Sequence, residues 1–170
     1  MNGYGVEQDN AKAFVWFQVS AYSNEVAAQH NLGDMYRNGL GIKQDYAKAM
    51  ECYQKAADNG FALALNNIGD MYENGHGVEQ NYTKAMELYQ KALGNGAVFA
   101  AFSIGMMYYQ GLGVEQNYAK AAEWFEKSAS NGIEIAQKEL AKMYEKGLGV
   151  EKDPVKAQEW YSKSNTHNNR

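Results

Sequence analysis

Three features of this chain could do chemistry: a recurring Gly-x-Gly motif, one cysteine, and three histidines. A Gly-x-Gly turn can cradle a phosphate on its backbone N–H groups. The dinucleotide-binding fingerprint, however, needs a third glycine and a preceding strand. Here Gln44 or Gln80 stands at the third position and a helical pattern precedes it, so the glycines read as turns. Cys52 could act as a nucleophile or ligand, but only as a thiolate. Its counterparts at the same register are Trp16, Leu88, Trp124 and Trp160. That position is expected to face the core, where a free cysteine behaves as a small hydrophobe. His30, His76 and His167 are far apart and lack metal-ligand spacing. No Ser-x-x-Lys or Gly-x-Ser-x-Gly motif occurs. The expectation is a chain that is not an enzyme and carries no metal or cofactor.

The elements that would position these residues follow from composition and period. Apolar residues make up 45% of the 170 and charged residues 21%, the balance of a folded domain rather than a disordered one. Seventeen glycines against one proline point to regularly placed turns. A net charge of -4 offers no cationic surface for a phosphate backbone, so nucleic acid is not an expected partner. No apolar run approaches the roughly 18 residues of a membrane span. The start of the chain lacks the pattern of a signal peptide, although a leader already removed would leave no mark. A lone cysteine fits a reducing compartment, so the expected location is cytoplasmic.

Gly5, Gly41, Gly77, Gly113 and Gly149 recur every 36 residues, each with a glycine two positions earlier and Val or Ile following. Lys-Ala pairs keep the same register at Lys12, Lys48, Lys84, Lys120 and Lys156. Each period reads as two helices. The first, over Val26 to Asn38, carries Ala28, Leu32, Met35 and Tyr36 on one face. Gly33, Gly69 and Gly105 sit inside these helices at a cost of about 1 kcal/mol each relative to alanine. Such placement suggests close approach of a neighbouring helix. The glycine pair ends the first helix, and Asp9, Asp45, Asn81, Asn117 and Asp153 cap the second. The resulting division is a leading partial repeat over 1–24, helix pairs over 25–60, 61–96, 97–132 and 133–165, and a polar tail over 166–170.

The pattern Ala-x3-Leu-Gly-x2-Tyr-x2-Gly-x-Gly-Val, then Asp-Tyr-x-Lys-Ala and an aromatic pair, as in Ala28 to Tyr53, resembles the Sel1-like repeat family. That family is related to the tetratricopeptide repeats. The resemblance covers essentially the whole chain and implies an all-α, right-handed α/α superhelical solenoid. It further implies a protein-protein interaction module, an adaptor, scaffold or stoichiometric binder, whose concave face is lined by the first helix of each pair. Family members include bacterial signalling scaffolds, host-interaction factors and immunity proteins. The alternative implied by cysteine-rich relatives is a small ligand-binding protein or enzyme of β-lactam-binding or hydrolysing type. The paired cysteines of those relatives are absent here.

Positions that vary between repeats mark the expected binding surface, since function resides there rather than in the fold. Asn31, Asp34, Asn67 and Asp70 would form an acidic and amide strip. Phe99, Phe102, Met106 and Tyr109 replace residues that are largely polar elsewhere, either as an apolar anchor for a partner or as filling between repeats. A partner protein or peptide would then carry an apolar side and a basic segment. Val15 and Val19 stand where the other repeats have Glu and Lys. Lost upstream repeats, a second copy forming a homodimer, or the partner would cover them; packing under the first turn is the remaining reading.

Overall fold

The computed structural model describes residues 10–23 and 25–165. Gly3, Gly5, Asp9, His167 and the tail over 166–170 lie outside the described residues. Among the described residues the chain is all helix: α1 Asn10–Tyr22, α2 Val26–Asn38, α3 Tyr46–Asp58, α4 Ala62–Asn74, α5 Tyr82–Gly94, α6 Phe99–Gln110, α7 Tyr118–Ser130, α8 Glu134–Lys146 and α9 Pro154–Asn165. Each helix packs on its neighbours in the chain, and α4 also meets α6. This is an all-α repeat solenoid.

The repeated residues explain the repeated elements. Gly39, Gly75, Gly111 and Gly147 end α2, α4, α6 and α8 in the left-handed region, with φ between 69° and 75°. Asp45, Asn81 and Asn117 accept from the backbone N–H of Lys48, Lys84 and Lys120, satisfying one orphan donor of each following helix. Asp153 does the same for Lys156 behind Pro154. The glutamine in the third position of the glycine motif has its own task. Gln44, Gln80 and Gln116 donate to the carbonyls of Arg37, Glu73 and Tyr109 at 2.7, 2.8 and 2.9 Å, closing the turn. The second glycine of the motif seats that turn on the preceding repeat. A β-carbon on Gly77 would lie 2.6 Å from the Tyr46 β-carbon.

The core runs as a column of aromatic rings. Tyr53, Tyr89 and Phe125 are fully buried among Ala49, Ala85 and Ala121 and the Met and Ile residues of the facing helices. A buried ring of this size removes roughly 150–250 Å² from water, worth about 4 kcal/mol. Gly33, Gly69 and Gly105 make room for them: an added β-carbon would fall 2.6 Å from each ring. The expected close approach is therefore helix against ring edge.

The Cys52 register packs against the core, as expected, but only at its margin. Cys52, Leu88, Trp124 and Trp160 are half-buried, while Trp16 is 70% exposed. The register borders the preceding repeat: Cys52 lines a recess together with Gln18 and Ala21 of α1, and Leu88 lines another with Met50 and Lys55 of α3. Among the described residues α1 has no such neighbour, which leaves Trp16 uncovered. Val15 and Val19 are also exposed, at 56% and 57%. No helix among the described residues is long and apolar enough to cross a membrane.

Candidate partner-binding groove

The first helices of successive pairs lie side by side and enclose a groove of about 540 Å³ across α2, α4 and α6. Helical periodicity places one face of each helix there. The α2 side supplies His30, Asp34 and Arg37, α4 supplies Asn66, Asn67, Asp70 and Glu73, and α6 supplies Phe99, Phe102, Ser103 and Met106. Of the residues expected at the binding surface, Asp34, Asn67, Asp70, Phe99, Phe102 and Met106 thus come together. Asn31 and Tyr109 do not line this groove. Asn31 lies beside His30, and Tyr109 packs against the rings of Tyr118 and Phe125.

The carboxylates are organised rather than free. Asp34 accepts the Tyr53 hydroxyl at 2.5 Å and the Asn67 amide at 3.3 Å. The same Asn67 amide lies 2.8 Å from His30 Nε2, and His30 Nδ1 faces Asp34 at 3.6 Å. Arg37 crosses from α2 to α4 and donates to Asp70 at 2.9 Å. Glu73 accepts from Tyr89 at 2.7 Å. Burial, with the Asp70 charge adding, pushes the Glu73 carboxyl above its ordinary range, against the effect of the Tyr89 bond. Burial also drives both tyrosine hydroxyls far up, helped by the adjacent carboxylates, so they act as donors throughout the accessible pH range.

The third repeat changes the floor. Phe125 replaces the buried tyrosine, and the Phe102 ring lies 5.5 Å from it. Phe99 continues the aromatic surface outward at 5.6 Å from Phe102 and is 37% exposed. Phe102 therefore both fills the space between repeats and lines the groove. Beyond it, α8 carries Lys138 and Lys142, paired with Glu134 and Glu139.

Ser103 donates to Asn66 at 3.1 Å rather than to a base. Among the described residues no group of three or more His, Cys, Asp and Glu side chains could hold a metal ion. Cys52 lines a separate recess of about 260 Å³ with Lys48, Glu51 and Lys55. Burial raises its thiol despite the nearby Lys55, which keeps it protonated and weakly nucleophilic.

Comparison with known proteins places the chain. The Sel1 repeat family model matches residues 1–24, 26–61, 62–96, 98–133 and 135–169. The chain belongs to the Sel1 repeat family. Among solved Sel1-type structures, c5321, a protective antigen of uropathogenic Escherichia coli with this fold, is 41% identical over 99% of the chain, with a TM-score of 0.75. The chain spans 36% of the length of that protein. A Sel1 repeat protein from Oxalobacter formigenes is 33% identical over 99% of this chain and 68% of its own, with a TM-score of 0.82. Cysteine-rich protein B of Helicobacter pylori is 28% identical over 79% of this chain and 97% of its own, with a TM-score of 0.53. A comparison with curated proteins gives no match. Sel1 repeats generally serve protein-protein interaction.

Sequence reasoning missed several groove residues of this Sel1 chain: His30, Arg37, Asn66, Glu73 and Tyr89. A signal was present for most of them. One register holds His30, Asn66, Phe102 and Lys138, and another holds Arg37, Glu73, Tyr109 and Glu145. Such variation on a fixed scaffold marks positions that the repeating core does not dictate.

Proposed function

We propose that this chain is an adaptor or stoichiometric binder that holds another protein or a peptide in the groove across α2, α4 and α6. The observation that carries this reading is the floor of that groove. It passes from carboxylates at Asp34, Asp70 and Glu73 to an aromatic surface of exposed Phe99 and half-buried Phe102, all on a scaffold whose core positions repeat. Mixed charge beside an aromatic anchor suits a protein partner, since interface energy concentrates in such anchors. Asn31 and Tyr109 flank the groove and complete the contact surface with Asn67 and Met106. Catalysis is not part of this reading, because the groove pairs no nucleophile with a base. The half-buried single thiol fits a reducing compartment such as the cytoplasm.

A second contact surface rests on α1. Val15, Trp16, Val19 and Tyr22 are 56%, 70%, 57% and 83% exposed. This apolar face suits a second copy of the chain, giving a homodimer through the N-terminal helix.

Affinity capture from lysate of the source cells tests the groove. The comparison sets wild type against Phe99→Asp with Met106→Asp, leaving Phe102 in place because its ring supports Phe125. A stoichiometric protein retained by wild type and lost from the folded variant is the expected result. Equal retention by both would move the binding surface elsewhere.

A further inference from the structure

We infer that the groove takes an extended segment of the partner in which a lysine or arginine lies about three residues from a large apolar side chain. The cation sits against Asp70 and Glu73, and the apolar group against Phe99 and Met106. This rests on the binding reading above and specifies what is bound.

The hydroxyl of the buried aromatic ring in each repeat sets the floor chemistry. Tyr53 and Tyr89 send theirs toward the groove, where Asp34 and Glu73 accept them. Phe125 has none, and the space above it is taken by Phe102 rather than by a polar group. One end of the groove is therefore polar and acidic and the next repeat is dry and aromatic. In the acidic zone three carboxylates face one guanidinium, Arg37, so an excess of negative charge remains for an incoming cation. Asp70 keeps 39% of its side chain accessible. In the apolar zone Phe99 and Leu63 are 37% and 36% exposed and await cover.

Spacing follows from helix packing. Neighbouring helix axes stand about 8–10 Å apart, and extended chain advances about 3.3 Å per residue, so adjacent zones are about three residues apart. Asn67 lines the same groove; its amide N–H is engaged by Asp34, and its amide oxygen can accept from a backbone N–H. Extended backbone has unpaired N–H groups that such an oxygen satisfies. An acidic residue in place of the cation would meet like charge, which gives the groove discrimination as well as affinity.

Selection from a phage-displayed library of random dodecapeptides on the whole chain tests this. Enriched peptides should carry Lys or Arg about two to four residues from Phe, Tyr, Trp, Leu or Met. Replacing that cation by alanine should weaken a synthetic peptide on the order of fivefold, and more at low salt. Selection on Asp70→Asn with Glu73→Gln should lose the cation preference and keep the apolar one; Phe99→Ala with Met106→Ala should do the reverse. Enrichment of acidic peptides, of apolar peptides without the cation, or of the same peptides by every variant would overturn the proposal. So would failure to enrich any peptide. If a native protein is nevertheless captured through the groove, the binding reading stands and only the linear segment falls.

Discussion

The Tyr53 hydroxyl donates a 2.5 Å hydrogen bond to Asp34, while the edge of the same ring fills the space left by Gly33. One residue thus joins the core to the groove floor. Tyr53→Phe keeps the ring and removes the bond. Because Asp34 is partly exposed and retains Asn67, the loss should be about 1.5 kcal/mol, the low end for bonds to charged acceptors. An unfolding free energy in urea lowered by that amount with unchanged helicity is the expected result; no change would mean that the bond is weak in solution.

Two helical glycines should respond with opposite signs. Gly69→Ala drives a β-carbon to within 2.6 Å of the buried Tyr89 ring. Overpacking of this kind costs about 1–3 kcal/mol, against a helix-propensity gain of about 1 kcal/mol. The thermal midpoint should fall. Gly94→Ala meets nothing within 4 Å and should raise it slightly. A rise in both would show that the ring moves aside freely.

Glu73 gives a pH signature. Burial first, then the Asp70 charge, holds its carboxyl above the ordinary 4.5, so the folded chain keeps this proton to higher pH than the unfolded chain. The stability from this group is full below the ordinary value and is lost as pH rises through the raised one. Glu73→Gln, whose amide oxygen still accepts from Tyr89, should match wild type near about pH 4 and exceed it at about pH 7 in thermal midpoint. A lower midpoint for the variant at neutral pH would contradict the assignment.

The α1 face predicts association. Sedimentation velocity of wild type should show mass rising with concentration, and Val15→Glu with Val19→Lys should hold the chain at monomer mass. Identical profiles for the two proteins would remove α1 as the interface.

Much of this was legible in the sequence because the period ties chemistry to geometry. The capping by Asp45, Asn81 and Asn117 and the left-handed stops at Gly39 and its counterparts need only local rules. The Cys52 register was harder, since half-burial at a repeat boundary depends on what the preceding repeat supplies. Trp16 illustrates this, being uncovered where Trp124 is half-buried. The Arg37–Asp70 pair was not legible at all. It joins different variable positions on neighbouring helices, so its register depends on how α2 lies against α4. Phe102 could be read as core or as surface, and its position over Phe125 makes it both.

The central claim is that a partner protein occupies the groove across α2, α4 and α6. Photo-crosslinking tests it most directly, with a benzophenone amino acid placed in turn at Met106, on the groove, and at exposed Glu87 of α5, in cells producing the chain. The account predicts one discrete protein adduct from position 106 and none from position 87. An adduct from position 87 with none from position 106 would contradict it.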